Sequence, residues 1–240
     1  MLDHLKPENI LFIDIETVPQ HENYEQVAPE LQQLWDKKAD YFLKEDETPA
    51  DIYHRAGIYA EFGKIVCISA GVVFYVKGEM HFKVKSFANH DEKVLLHEFS
   101  NMLDNFMDRN PERNLCGHNA REFDFPYIAR RILINGLRLP QSLNIAGKKP
   151  WEVKFLDTLD LWKFGDYKHY TSLNLLTTIF NIPSPKDDID GSQVAGVYYN
   201  EKDLDRIAMY CEKDVLATAQ LLLRFMGKPL IEQEYFERVI

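Results

Sequence analysis

The sequence predicts an α/β fold: a mixed β-sheet that contains an antiparallel hairpin and is flanked by α-helices, in one domain over residues 1–240. Three observations lead there. "GKIVCISAGVVFYV" and "EMHFKVKSFA" are rich in β-branched and aromatic residues and are separated by Lys77-Gly78, a pair suited to a tight hairpin turn. Downstream, short apolar runs alternate with stretches whose apolar residues recur at helical intervals, as strands do when helices cover them. The chain has 240 residues and is 45% hydrophobic, enough for one sizeable core.

In chain order, Asn9 to Val18 is the first strand. A long connection follows, residues 20–62, with Val27, Leu31, Leu34, Trp35 and Phe42 at helical spacing and a second helix expected around Ile52 to Ala60. The hairpin comes next. "DEKVLLHEFSNMLDNFMDRN" is a helix ended by Asn110-Pro111, "NLCGHN" a short strand, and "FDFPYIARRILINGL" a helix stopped at Gly136. "EVKFLDTLDLWKF" is a strand with its exit, "TSLNLLTTIFN" a short helix with Pro183 beyond it, and Glu201 to Met226 a long final helix. Residues 228–240 are expected as a tail or an extra helix.

A net charge of −10 argues against strong non-specific binding of nucleic acid over the whole surface, since that affinity comes from Lys and Arg meeting phosphates. A local site remains open, because Arg121 to Tyr170 holds nine Lys or Arg against six Asp or Glu. Cys67, Cys116 and Cys211 are dispersed, odd in number and outside any C-x-x-C, which suits a reducing compartment better than a disulfide framework or a zinc site. "MLDHLKPENI" has no apolar leader core and no run is long enough to cross a bilayer. A cytoplasmic protein without membrane partners is expected.

The first strand, "LFIDIETVPQ", carries Asp14 and Glu16 two residues apart, so both carboxylates point to one face. Such a pair is common by chance. Asp124 stands at a strand-to-helix turn, where α/β sheets place binding groups; alone it also reads as a helix cap. On the last helix Ile207, Tyr210, Asp214, Ala217 and Leu221 form one stripe, so Asp214 is either turned inward or at the stripe's exposed edge. Together, four acids would repel one another unless divalent cations held them. Oxygen ligands suit Mg²⁺ or Mn²⁺, and two such ions roughly 3.5–4 Å apart are the usual clamp for in-line displacement at phosphorus.

"DIET", "NAREFD" and "YCEKD" resemble, in order, the three motifs of the DEDD superfamily of 3′–5′ exonucleases, in its tyrosine-containing branch. "GHNAREFDFPYI" is similar to the proofreading exonuclease domains of family-B DNA polymerases, and the element order resembles an RNase H-like fold. The resemblance implies a stand-alone relative of that domain. It implies that Asp14 bridges two Mg²⁺ or Mn²⁺ ions, that Glu16 and Asp214 complete the first site, that Asp124 serves the second directly or through water, and that Tyr210 orients the attacking water.

Thr17, Asn119 and Phe123 then fall near the terminal nucleotide, with Phe123 equally readable as core. Ser172 reads as a helix cap, Asp157 as a support of the site or a hydrogen-bonded structural residue, and Lys186 and Lys213 as phosphate contacts or exposed lysines. The expected substrate is the 3′ end of single-stranded DNA, with RNA as the alternative; no protein partner in replication or repair is legible. A catalytically silent nucleic-acid-binding module competes, but would gain nothing from a repulsive acid cluster. An aspartyl-phosphate phosphatase is disfavoured by Glu16 and by the lack of a Gly-rich phosphate loop.

Overall fold

The first strand, β1 (Ile10–Pro19), is buried on both faces, and its alternation decides what each face meets. Leu11, Ile13 and Ile15 join Leu95, Leu96, Phe99, Ile128 and Ile132 in one core cluster, whereas Ile10 and Phe12 join Val215, Ala219, Leu222 and Leu223 in another. The computed structural model describes residues 2–153, 155–166, 170–183 and 189–239. Lys186, read above as a possible phosphate contact, lies outside them.

The remaining elements are α1 (Pro29–Ala39), β2 (Gly63–Val76), β3 (Glu79–Ala88), α2 (Glu92–Asp108), β4 (Asn114–Gly117), α3 (Asp124–Ile134), β5 (Phe155–Asp157), α4 (Thr158–Lys163), α5 (Leu173–Ile179), α6 (Val194–Gly196) running into a π-helical turn over Val197–Glu201, α7 (Leu204–Phe225) and β6 (Phe236–Val239). The sheet order is β5-β4-β1-β2-β3-β6. β1, β2 and β3 are antiparallel neighbours, while β4 and β5 extend β1 in parallel. The hairpin turns through Lys77 (φ 53°) and Gly78 (φ 93°), the two left-handed residues that match strand twist in a tight turn.

Helix ends follow local chemistry. The Asp91 carboxylate caps α2 by accepting from Lys93 N–H (2.9 Å) and Val94 N–H (3.3 Å), and Ser172 caps α5 through Leu175 N–H, as its sequence position suggested. Gly136 (φ 67°) ends α3, with Leu137 N–H reaching back to the Ile132 carbonyl.

Two expectations need correction. The second helix of the 20–62 connection is a 3₁₀ segment, Tyr53–Ile58. Its backbone closes three-residue turns, Arg55 N–H to Ile52 O and Tyr59 N–H to Ala56 O, and side chains of α3 hold the carbonyls at its end: Tyr127 Oη donates to Gly57 O and Arg131 Nη1 to Ala60 O, both at 2.8 Å. The connection is anchored by Trp35, fully buried among Val27, Ala39, Ile52, Tyr53 and Ala56, with its indole N–H on Pro49 O at 2.8 Å.

The C-terminal segment ends not as a tail or helix but as β6, parallel to β3. The free edge of β3 supplies backbone partners, and Arg238 Nε lies 2.7 Å from Glu212 Oε2 of α7, a side chain only 5% exposed. Glu212 also accepts from the Ser86 hydroxyl at 2.6 Å. A buried ion pair, Arg131 Nη2 to Glu92 Oε2 at 2.5 Å, ties α3 to α2, and Glu92 also accepts from Ile65 N–H of β2 at 2.7 Å. No described helix is long and apolar enough to cross a membrane, and the three cysteines are free and buried.

Candidate active site

β4 pairs with β1 only through Phe12, so beyond that residue one edge of β1 lacks a strand neighbour. The turn from β4 into α3 fills the gap. Gly117 makes the turn possible: a Cβ there would lie 2.3 Å from Ala120 Cβ and 3.1 Å from Ile13 O. Asp124, first residue of α3 and 4% exposed, reaches the free edge, and its Oδ1 accepts from Ile15 N–H at 3.2 Å. The carboxylate is thus held by β1 itself.

Asp14 and Glu16 continue the face begun by Ile10 and Phe12, opposite Ser69 and Cys67 of β2 in the strand register. There α7 changes character. Its apolar stretch from Val215 to Leu223 covers the start of β1; one turn earlier it brings Tyr210, Cys211 and Asp214. The Cys211 thiol lies 3.4 Å from both the carbonyl oxygen and Oδ2 of Asp14, and ligand atoms of Asp14, Glu16 and Cys211 lie within 4.8 Å of one another. The carboxylates of Asp14, Glu16 and Asp124 all feel the charge of Asp214, and Tyr210 is hydrogen-bonded to it. The structure therefore brings Asp14, Glu16, Asp124, Tyr210 and Asp214 to one place, at the middle of β1 and just beyond the carboxyl end of β4.

Electrostatics show what the arrangement costs. Burial first, then the charges of Asp124, Asp214 and Glu16, hold the Asp14 carboxyl well above the ordinary carboxylate range; burial and Asp214 do the same to Glu16. Asp124 is pushed up to about 7 by burial, with Asp157 and Asp214 adding to the rise and its backbone hydrogen bonds opposing it. Burial, then Asp214, Glu16 and Asp14, raise Tyr210, so it stays a phenol. Each acid is unfavourable as an anion beside the others, a penalty that a cation removes.

The donors fit a hard divalent cation. They are carboxylate oxygens, and burial, together with neighbouring Cys67 and Asp14, keeps Cys211 a protonated thiol rather than a thiolate ligand.

The other sequence-predicted residues fall around this centre. Thr17 is half-buried just past a register shift in β1, its hydroxyl engaged with Tyr127. Asn119 takes a left-handed conformation (φ 59°), and Phe123 is partly buried against the α2–α3 core with its ring 5.4 Å from Tyr127. Lys213 is half-buried beside Asp214 on α7. Asp157 does structural work: its carboxylate accepts from Asn119 N–H (2.9 Å), Arg121 N–H (3.0 Å) and Leu159 N–H (2.9 Å), pinning the turn before Asp124 and capping α4.

Two participants had escaped the sequence reading. The sequence reading of Cys211 concerns only redox compartment, disulfides and zinc, although its spacing of three from Asp214 puts both on one helix face. Tyr170, on the segment before α5, belongs to no motif; it lines a cavity of about 600 Å³ together with Tyr210 and Asp214.

Residues 58–238 match a protein-family model described as "Predicted 3′-5′ exonuclease related to the exonuclease domain of PolB". They take in Asp124, Tyr210 and Asp214, while Asp14 and Glu16 precede them and join the centre through the geometry above. Among solved structures, the family B DNA polymerase from the hyperthermophilic archaeon Pyrobaculum calidifontis is similar at a TM-score of 0.51 and 16% identity, over 90% of this chain and 25% of the polymerase chain. This chain therefore corresponds to about a quarter of the polymerase's length. The similarity shows the fold, a mixed RNase H-like sheet flanked by helices.

Proposed function

The chain belongs to the family of 3′–5′ exonucleases related to the exonuclease domain of PolB, and on that premise we propose that it hydrolyses the terminal phosphodiester of single-stranded nucleic acid, DNA being the favoured polymer, and releases nucleoside 5′-monophosphates. Water adds to phosphorus, the bond to the 3′ oxygen of the preceding nucleotide breaks, and that oxygen takes a proton to become the new 3′ hydroxyl. One observation carries the reading: four acids from β1, α3 and α7 converge with Tyr210 where three of them are strained as anions.

Asp14, Glu16 and Asp214 would hold one Mg²⁺ or Mn²⁺ and Asp14 with Asp124 a second. When bound, such ions stabilise charge on the attacking and leaving oxygens of an in-line displacement. Tyr210, kept protonated, orients the attacking water through its hydroxyl, the role that the resemblance of its motif to the tyrosine branch of the DEDD exonucleases implies. Thr17, Asn119 and Phe123 position the terminal nucleotide.

The test is release of mononucleotides from labelled DNA and RNA single strands with each end blocked in turn. A 3′ block should protect the strand and EDTA should stop release. Turnover from the 5′ end, or undiminished turnover in EDTA, would overturn the proposal. Release from RNA alone would make the protein an exoribonuclease, and tight binding without turnover a silent binding module.

A further inference from the structure

Cys211 is fully buried on α7 and takes no part in the two-ion arrangement, yet it stands among the ligands of that arrangement. Its sulfur lies 3.4 Å from Asp14 Oδ2, and ligand atoms of Asp14, Glu16 and Cys211 lie within 4.8 Å of one another. A tetrahedral zinc ion makes bonds of about 2.3 Å to sulfur and about 2.0 Å to a carboxylate oxygen, which sets those two ligand atoms about 3.5 Å apart. The Cys211 and Asp14 atoms already have that separation. Two oxygens on such an ion are about 3.3 Å apart, so the Glu16 carboxylate has at most about 1.5 Å to close by turning about its side-chain bonds.

The sulfur also changes which ion the place prefers. Thiolate ligands favour Zn²⁺ and softer ions, whereas Mg²⁺ takes oxygen. Beside a hard cation the buried thiol keeps its proton and donates to Asp14. A thiophilic ion takes the place of that proton, which leaves for water, and the thiolate becomes a ligand. Cys67 of β2, in hydrogen-bond contact with Cys211, has a thiol proton to turn toward it.

We propose that Asp14, Glu16 and Cys211 form an inhibitory metal site, in which a thiophilic divalent cation, Zn²⁺ or Cd²⁺, binds two carboxylate oxygens and the sulfur. Asp14 is the ligand that both hard ions would share, so its capture removes both from their places. The inhibition rests on the exonuclease reading; the binding does not.

The experiment titrates Cd²⁺ into the metal-free protein and follows the ultraviolet charge-transfer band of a cadmium–thiolate bond. Wild type should develop the band with one equivalent, and Cys211→Ser should lack it. Zn²⁺ is then added to both proteins turning over in Mg²⁺, each compared with its own zinc-free rate. Wild type should be inhibited and should recover after EDTA and fresh Mg²⁺. Cys211→Ser should need at least about tenfold more Zn²⁺, since even the outer contacts of a metal ligand are worth about 10- to 100-fold in affinity. No band in wild type, a band that persists in Cys211→Ser, or equal zinc sensitivity of the two proteins would overturn the proposal. Thermal midpoints check folding, and Cys211→Ala replaces the serine variant if that one unfolds. If wild type releases no nucleotide in Mg²⁺, the exonuclease reading fails separately and the band decides the site.

Discussion

Replacing Asp124 with Asn isolates the electrostatic cost of the cluster, because the amide oxygen can still accept from Ile15 N–H and little but charge is lost. In the folded protein burial and the neighbouring acids push this carboxyl up to about 7 from its ordinary 3.8. A carboxyl whose folded pKa is raised binds protons more tightly when folded. Its stabilising contribution is complete below the unfolded pKa and disappears as pH rises through the folded one. Two of the pH units between those values lie between pH 5 and 7, each worth about 1.36 kcal/mol. Metal-free wild type should therefore lose about 2 kcal/mol over that interval through this group alone, the group being half titrated at pH 7, and the variant should not.

The assay is urea unfolding of both proteins in EDTA at pH 5, 6, 7 and 8 and constant ionic strength, since salt screening of a chain carrying a net charge of −10 would otherwise mix with the site. The stability difference, variant minus wild type, should climb by about 2–3 kcal/mol from pH 5 to 7 and level off by pH 8. Relief of Asp14 by the same substitution acts in the same direction. Parallel curves would refute the reasoning, showing that Asp124 ionises freely and that the acids do not share one buried volume.

In EDTA, Asp14→Asn should melt at or above the wild-type temperature; Mn²⁺ at 100 times its dissociation constant should stabilise wild type by about 2.7 kcal/mol and the variant by much less, both read by thermal unfolding. Tyr210→Phe should lower single-turnover rates by about 10²–10⁴-fold at most while binding of a labelled strand is nearly unchanged. Its phenol is held above its ordinary pKa, so wild type should show no loss of rate from ionisation of this group between pH 7 and 9. Gly117→Ala should cost ~1–3 kcal/mol in urea unfolding, because its Cβ would meet Ala120 Cβ at 2.3 Å.

The sequence alone made legible whatever depends on neighbours in the chain. Alternation in "LFIDIET" put Asp14 and Glu16 on one face, Lys77-Gly78 marked the hairpin turn, and the spacing of four set Tyr210 beside Asp214. Ser172 was legible as a helix cap, and Asp157, readable either as a support of the site or as a structural residue, is held by local bonds. Tertiary contact decided the rest. The 3₁₀ segment 53–58 is held by Tyr127 and Arg131 of α3, and β6 pairs with the edge of β3 and brings Arg238 to buried Glu212, partners far away in sequence. Cys211 and Tyr170 come near the acids only in the folded chain, where the Cys211 thiol meets Asp14 and Tyr170 shares a cavity with Tyr210 and Asp214. Periodicity and capping are written within a few residues of one another and can be read there. The partners of a sheet edge, a buried charge or an exposed ring lie tens to hundreds of residues away, and only the folded chain brings them within bonding distance.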